Sequence, residues 1–507
     1  MTRSMPETER KYTVPPADDA GWLASLTGAG AVASVVDQGA QELDAVYYDT
    51  DDLRLARSSV TLRRRTGGTD AGWHLKLPLG GDTREEVREP LADDVPGPLR
   101  DLLTARTRGA PLVPVVRLRS SRSLRHLVDD EGTVLAELAI DTVRAKPLLD
   151  RGEKARWREL EVEVADTAPA ALLDDVEKVL RAAGAERART PSKLARALAD
   201  THLDEARPAR RRPAAEPGSA GGHLLAYLDE CVRALVEVDP SVRRGLPDAV
   251  HTMRTTCRRL RGCLRAYRSV LGRDVTDPVR DELKWLAGEL GEERDQEVLL
   301  ERVRTGLEGL PAELVLGPVA ARLRTWDVAG QSAARHRTLT ALRSPRYLAL
   351  LEALDGLVAH PPLRAKASRK PEKVMAKAVR KEQARLARRM ERALDRPSGP
   401  ERDAALHQAR KAAKTVRYAA EAAGPVLGGR ADRVRKRVKA VQKALGDHHD
   451  AVVARQALRH HALAAHAAGE PGFTWGLLYG REQAAAIRLE EERVPALWKE
   501  ASGLRLR

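Results

Sequence analysis

The sequence contains one Phe, and aromatic residues make up 3% of its 507 positions. Platforms for single-stranded nucleic acid stack bases on aromatic faces, so this scarcity favours a ligand that carries phosphate without bases. Cysteine is nearly as sparse: Cys231, Cys257 and Cys263 fall in helical sequence with no paired spacing. That excludes a disulfide framework and a cysteine zinc site, and it fits a reducing cytosol. No stretch approaches the ~18 to 20 apolar residues of a membrane span. The first residues, MTRSMPETERKY, lack an apolar signal region, so a cytoplasmic protein is expected. A GxxxxGK phosphate loop is missing as well.

Charge is what the sequence has in quantity. Lys and Arg total 88 against 73 Asp and Glu, for a net +15 and a pI near 9.9. A polyanion is the natural partner of such a chain. Genomic base composition accounts for part of the Arg and Ala content, but not for the periodicity of the Arg. At 55.5 kDa the chain is long enough for two or three domains.

The periodicity is clearest from Val250 to Leu271. Val250, Met253, Cys257, Leu260, Leu264, Tyr267 and Leu271 step by three and four, which makes one apolar seam of a helix. His251, Arg254, Arg258, Arg261 and Arg265 repeat the rhythm one position later. An offset of one residue is a turn of about 100°, so the basic row borders the buried seam and stays open to solvent. Leu406, Ala409, Ala413, Val416, Ala420, Ala423 and Leu427 form a second seam, bordered by His407, Arg410, Lys414 and Arg417. A Leu-Gly-x-x-x-Asp element follows each copy: Leu290, Gly291 and Asp295, then Leu445, Gly446 and Asp450. The histidines His251 and His407 are 156 residues apart and the aspartates 155, which indicates duplication of a helical unit. An isolated basic row is usually a solvated face. Two rows in the same phase to two cores make a better anion site, because side chains held beside a packed seam lose less entropy on binding.

The first part of the chain reads differently. From Glu7 to about Lys193, short segments alternate with period two between Gly, Pro and Asp breaks, as strands do. Glu7, Glu9 and Lys11 share a face, as do Arg63 with Arg65, His74 with Lys76, Arg84 with Glu86 and Arg88, Arg117 with Arg119, Glu137 with Asp141, and Glu159 with Glu161 and Glu163. Charged faces of both signs on these strands suggest a barrel with a polar lumen and a covered outer face. Clustered carboxylates call for a cation, and their hard oxygens suit Mg²⁺ or Mn²⁺. A basic wall opposite could hold phosphate oxygens. Tyr47 and Tyr48 are candidates to face the ligand or to pack.

Glu7-x-Glu9-x-Lys11, Leu62-Arg63-Arg64-Arg65, Leu75-Lys76-Leu77, Arg84-x-Glu86, Glu159-x-Glu161-x-Glu163 and Ser192-Lys193, in this order, resemble the CYTH family of triphosphate tunnel metalloenzymes. The resemblance implies an antiparallel eight-stranded α+β tunnel, a divalent metal and a triphosphate substrate, whether inorganic triphosphate, thiamine triphosphate or, in the cyclase branch, ATP. It implies metal ligands or their supports at Glu7, Glu9, Glu159, Glu161 and Glu163, and phosphate contacts at Lys11, Arg63, Arg65, Lys76, Arg84, Arg117 and Arg119. Lys11, Asp141 and Glu161 become the catalytic candidates. Which members of the Arg117, Arg119 and Arg122 cluster turn inward stays open.

EARPARRRPAAEPGSAGG, residues 205–222, reads as a Pro, Gly and Arg linker. From His223 the pattern is helical, with breaks expected at Pro240, Pro278, Pro311, Pro361 and Pro362, Pro397 to Pro400 and Pro471. VHTMRTTCRRLR with LGEERDQEVLL, and LHQARKAAKTVRYAAE with LGDHHDAVVA, resemble the CHAD family of conserved-histidine α-helical domains. That resemblance implies an all-α duplicated pair of four-helix bundles with a groove for inorganic polyphosphate. Its lining would be His251, Arg254, Arg258, Arg261, Arg265, Lys284, His407, Arg410, Lys414, Arg417 and Lys439. His449 stands where the first copy has Arg294, and Glu421 where it has Arg265, so the halves need not contribute equally. His448, His460, His461 and His466 show no regular metal-ligand spacing.

The expected organisation is a tunnel domain over 1–204, a linker over 205–222 and a helical domain over 223–507, with repeats at about 223–360 and 370–507. The leading expectation is a metal-dependent triphosphatase fused to a polyphosphate-binding domain, with polyphosphate granules as a candidate setting. The alternatives are a nucleoid protein that binds nucleic acid through the helices, with a vestigial tunnel domain, and an adenylate cyclase.

Overall fold

The computed structural model describes residues 3–13, 19–204 and 215–503, in two compact units that meet in sequence between Ala209 and Arg210. Most of the expected linker, 205–214, lies outside the described residues, together with its Arg210 to Arg212 run.

In the first unit the alternating segments become β1 (Arg3–Thr13), β2 (Ser34–Asp49), β3 (Thr61–Thr66), β4 (Gly72–Gly80), β5 (Thr83–Glu89), β6 (Val113–Val128), β7 (Val134–Pro147) and β8 (Ala155–Val164). They pair antiparallel in the order β5-β4-β3-β2-β6-β7-β8-β1, and β5 pairs again with β1 to close an eight-stranded barrel. A two-residue strand, β9 (Glu186–Arg187), adds to β1.

The period of two sorts the residues. Odd positions of β1, β3, β7 and β8 carry charges into the lumen, while the apolar positions between them face out and must be covered. Helix α1 (Asp19–Ala24), the turn after it and α3 (Leu172–Ala182) cover Tyr12, Leu138, Ile140, Leu160 and Val162. Helix α2 (Gly97–Thr107) covers Leu62, Leu75 and Val87 with Leu99, Leu102 and Leu103. Each such Leu is worth roughly 1.5–3 kcal/mol of burial, so these patches hold the helices to the wall. A third core lies inside the barrel. Tyr47, Val143, Ala145 and Trp157, in phase with the lumen charges, meet Leu194, Ala197 and Leu198 of α4 (Lys193–Asp200), which stoppers one end. Ser192 caps this helix, its Oγ accepting from the Ala195 N–H at 3.0 Å.

The second unit is helical: α5 (Ala220–Arg244), α6 (Ala249–Ala266), α7 (Arg273–Glu289), α8 (Gly291–Glu308), α9 (Val319–Arg343), α10 (Pro345–Ala359), α11 (Pro371–Leu394), α12 (Pro400–Ala422), α13 (Gly424–Leu427), α14 (Gly429–Ala467), α15 (Phe473–Arg488) and α16 (Val494–Ser502). A π-helical turn, Leu489–Arg493, joins the last two. Among the described residues no helix is long and apolar enough to cross a membrane. The duplication is visible in the rods: α5, α6, α7 with α8, and α9 recur as α11, α12, α14, and α15 with α16.

Both seams are buried. Met253, Cys257, Leu260, Leu264, Tyr267 and Leu271 are all 0–1% exposed, and Leu406, Ala409, Ala413, Val416, Ala420, Ala423 and Leu427 0–5%. Only Val250, at the rim, is half-buried. Helices α6 and α12 cross where a Cβ on Gly262 would lie 2.9 Å from the Tyr418 ring. Those two positions are 156 apart and are therefore each other's counterpart. A residue that touches its own equivalent marks the axis of a pseudo-twofold.

Three expectations are corrected. Pro240 lies inside α5 and Pro278 inside α7. Near Pro240 the helix is clamped by buried Asp239, which accepts from Arg243 Nε at 2.6 Å and from the Tyr347 hydroxyl at 3.0 Å; packing here outweighs the lost backbone bond. Gly221 and Gly222, read as linker, form the first turn of α5 behind the Ser219 cap. A Cβ on Gly221 would sit 3.0 Å from Ala367, which is why a residue without a side chain stands there.

Candidate functional sites

Two clusters of charge emerge, one in each unit. In the barrel, strand register alone sets most of the geometry: Glu7 lies opposite Arg84, Glu9 opposite Glu163, Lys11 opposite Glu161, Lys76 opposite Glu86, and Arg122 opposite Asp141. The charges separate into two levels. Beside the α4 stopper, Lys193 Nζ lies 2.9 Å from Asp141, 2.9 Å from Glu159 and 2.5 Å from Glu161. Arg122 grips Asp141 with two hydrogen bonds of 3.0 and 2.9 Å and reaches Glu161 at 3.0 Å. Lys11 bridges Glu161 and Glu9. Burial alone would raise the Glu161 pKa, but Lys11, Lys193 and Arg122 hold it well below the usual carboxylate range.

Farther along, Lys76 contacts Glu7 at 2.5 Å, and Arg88 contacts both Glu7 and Glu86. His74 Nδ1 lies 3.0 Å from Glu86, and its Nε2 lies 2.9 Å from the Asp70 carbonyl. Asp70 also pairs with Arg65. Burial, and then repulsion from Arg63 and Arg122, lowers Arg65 to about 9. Glu163 faces Glu9 and Glu137 across the strands. Burial, followed by repulsion from Glu7, Glu9 and Glu137, pushes it up to about 7, with Lys76 pulling the other way. A cavity of about 340 Å³ opens here, lined by Arg63, Arg65, Lys76, Arg88 and Arg122 together with Glu7, Asp70, Glu86, Glu137 and Glu163. A second cleft of about 220 Å³ reaches Glu9, Lys11 and Arg84 from beside Arg187 and Arg189.

Not every expected cation is in the lumen. Arg117 and Arg119 leave the outer face and hold Asp44, Arg117 with contacts of 2.7 and 2.5 Å and Arg119 at 3.1 Å. Their side chains are 41% and 64% exposed, against 15% for Arg122, which takes the inward place. Tyr47 faces the lumen beside Arg63, while Tyr48 faces out and tilts against Trp73. Lys193, Arg88, His74 and Asp70 were not among the expected site residues. For Lys193 the Ser-Lys pair was the available signal, whereas Asp70 is brought in by a hairpin turn that leaves no pattern.

Of the lumen carboxylates Glu163 best suits a hard divalent cation: burial first, and then Glu7, Glu9 and Glu137, raise it, while Glu7 and Glu9 beside it are shared with Lys76, Arg88 and Lys11. Asp141, Glu159 and Glu161 fit one less well, because Lys193, Arg122 and Lys11 already occupy them.

In the helical unit, the basic rows of the two copies meet beside the α6–α12 crossing. Lys414 is surrounded by Arg410 and Arg417 of its own helix and by Arg254 and Arg258 of α6; burial, and then these four charges, lower it to about 7. The His407 and His449 rings stand 4.2 Å apart, each lowered to about 4 by burial first and then by cationic neighbours. Buried Arg258 Nε, Arg410 Nε and His407 Nδ1 have no hydrogen-bond partner. Such atoms in a half-buried cationic row call for acceptors from outside.

The Leu-Gly-x-x-x-Asp elements explain how two of these arginines are set. A Cβ on Gly291 would lie 3.4 Å from the Arg254 guanidinium, and one on Gly446 would lie 3.5 Å from Arg410. Each Gly lets the guanidinium lie flat on the next helix, with the Asp one turn on to catch it. Arg254 donates to Asp295 at 2.7 and 3.0 Å, while Arg410 stands 3.9 Å from Asp450. The first copy is thus closed on its own carboxylate and the second is more open.

The remaining expected groove residues are less central. Arg261 lies beside Arg280, and Arg265 is drawn toward Glu382 and sits near Arg389 and Arg280. Arg280 and Arg389, on other helices, extend the row and carry no periodic signal. His251, Lys284 and Lys439 are exposed.

Against known proteins, the CYTH domain family matches residues 5–198 and the CHAD domain family residues 226–459. A protein of Mycobacterium tuberculosis, found in two strains under the description uncharacterized, is 40% identical over 510 residues, covering 97% of this chain and 96% of the relative. PptA from Streptomyces chartreusis is 24% identical over 55% of this chain and 99% of its own, with a TM-score of 0.48. The CHAD domain from the plant Ricinus communis is 25% identical over 59% of this chain and 98% of its own, with a TM-score of 0.45. With a CYTH domain on the closed barrel and a CHAD domain on the duplicated helices, the chain belongs to the family of CYTH–CHAD fusion proteins.

Proposed function

We propose that the barrel hydrolyses inorganic triphosphate, or a closely related triphosphate, and that the helical groove binds inorganic polyphosphate. The observation that carries the enzymatic reading is the 340 Å³ cavity, whose lining brings Arg63, Arg65, Lys76, Arg88 and Arg122 together with Glu7, Glu137 and Glu163. Its lining is charged or aliphatic apart from Gln41 and Thr69, with no aromatic face for a purine, which favours an inorganic chain over ATP.

In this reading Glu7, Glu9 and Glu163 would hold a divalent cation, Mg²⁺ or Mn²⁺, whose chemistry when bound would be Lewis-acid polarisation of a phosphoryl oxygen and a lowered pKa of water. The protein's own cations do the rest. Arg63, Arg65, Lys76 and Arg122 bind the phosphate oxygens and absorb charge that develops as the terminal phosphoanhydride bond breaks to orthophosphate and pyrophosphate. Lys193, pinned by three carboxylates, fixes the wall on which Lys11, Asp141 and Glu161 stand. On the helices, Arg258 and Arg410 offer unpaired donors to a string of phosphates beside the crowded Lys414 ammonium, and Arg is the residue that grips such oxygens in pairs.

Products from triphosphate and from ATP, each with Mg²⁺ and with Mn²⁺, test the chemistry; orthophosphate from triphosphate is expected, and cyclic nucleotide would replace this reading by the cyclase. The double substitution Glu7→Gln and Glu9→Gln should abolish turnover and leave polyphosphate binding intact. Polyphosphate should displace duplex DNA from the protein at equal phosphate concentration, and the opposite ranking would favour a nucleic-acid ligand.

A further inference from the structure

Adjoining the helical site, where His448 precedes His449 and Asp403 lies one turn before His407, α12, α14 and the π-helical turn bring Asp403, His448 and Glu490 together, with one ligand atom of each within 4.8 Å of the others. It is the one such trio among the described residues. His448 is 1% exposed and Glu490 3%, so neither is a casual surface neighbour. His448 Nε2 lies 3.3 Å from Asp403 Oδ1 and 3.6 Å from Glu490 Oε2, yet it makes no hydrogen bond. The nitrogen is near both oxygens and aligned with neither. Ligands on a tetrahedral ion with bonds of about 2.0 Å lie about 3.3 Å from one another, close to these separations.

The outer oxygens of the two carboxylates are held in place. Ser398 Oγ donates to Glu490 Oε1 at 2.6 Å, and Arg455 donates to Asp403 Oδ2 at 3.0 Å. Such supports are usual for metal-ligating carboxylates. Arg402 donates to the Glu490 carbonyl at 3.0 Å and lies 3.7 Å from Oε2. Glu490 itself sits in a π-helical turn, an irregularity frequent at functional positions, which here delivers its carboxylate to the trio. The first copy has Glu293 where the second has His448, so the trio is not a by-product of the duplication.

We infer that Asp403, His448 and Glu490 form a binding site for a borderline transition-metal ion, Zn²⁺ being the best match, that ties α12 and α14 to the π-helical turn. One imidazole with two carboxylates is a zinc-type donor set, distinct from the all-oxygen set expected in the barrel. Arg402 and Arg455 already balance the two carboxylates, so the ion binds more weakly than it would without them.

Co²⁺ is the probe, because a four-coordinate nitrogen and oxygen site gives it visible ligand-field absorption. Metal-stripped full-length protein carrying Glu7→Gln and Glu9→Gln, which disable the barrel site, is titrated with Co²⁺ and, separately, followed by thermal unfolding with Zn²⁺. One equivalent of absorbing Co²⁺ and a Zn²⁺-dependent rise in Tm are expected, both lost on adding His448→Gln. Should that variant not fold, Asp403→Asn carries the same expectation. Absorption unchanged by either substitution overturns the site. So does an absence of Co²⁺ absorption, with His448 then acting as an ion-pair partner whose replacement alters stability equally with and without metal.

Discussion

Lys414 shows how much one side chain can report. Its ammonium is crowded by Arg410, Arg258, Arg254 and Arg417, so at neutrality it is close to half protonated. A bound phosphate favours the charged form and raises the pKa in the complex. Binding therefore takes up a proton at and above pH 7, and affinity falls as pH rises from about 7 toward the pKa of the complex, by up to about tenfold per pH unit. His407 and His449 add to this only at lower pH, since both titrate near 4 in the free protein. Polyphosphate titrations in buffers of different ionisation heat should show the proton uptake, and Lys414→Arg, always charged, should flatten the pH profile. A wild-type affinity constant from pH 7 to 9 would contradict the burial of this amine. The basic rows that include Lys414 were legible from spacing alone. Its depressed pKa was not, because it depends on arginines contributed by the other copy.

At the scale of elements, the alternation of charges predicts the strands and which face is charged wherever only one parity carries them, as in ETERK and RELEVEV. It fails in VVRLRSSRSLR, where Arg stands at both parities; there the pairing of β6 with β2 and β7 decides that Arg122 faces in and Arg117 and Arg119 face out. Proline breaks fail in the same way at Pro240, where a buried clamp on a neighbouring helix sets the outcome. The glycines are more informative than their flexibility suggests. Gly446→Val should push Arg410 off its helix and weaken polyphosphate binding about tenfold, the worth of one contact of ~1.4 kcal/mol, without changing the charge of the groove. Gly262→Ala, at the crossing of α6 and α12, should cost about 1–3 kcal/mol of stability through overpacking, measurable by denaturant unfolding. An unchanged unfolding midpoint would show that the crossing relaxes freely.

For the whole molecule, each unit has its own buried core, so residues 1–204 and 215–507 expressed apart should each fold. The first piece should keep turnover of triphosphate, and the second should keep binding of long chains. Intact protein should outpace an equimolar mixture of the pieces on long chains and match it on triphosphate, because a tether raises local concentration only for a ligand that both units meet. Equal rates on both substrates would separate the two activities. The two-unit division was visible in the change from period two to period 3.6 along the chain, while closure of the barrel by β5 on β1 is a pairing of distant segments that only the folded chain displays.

The contact of Gly262 with Tyr418 makes the groove a near palindrome: walked from either end, it offers His, Arg, Arg or Lys, and Arg in the same succession. A strand of nucleic acid runs from one kind of terminus to another and would find only one half laid out in its own sense. Inorganic polyphosphate has no such polarity, so it can enter in two equivalent directions. Lys414 for Arg258, and Glu421 for Arg265, are the letters that spoil the symmetry, so the two halves grip such a chain unequally whichever end enters first.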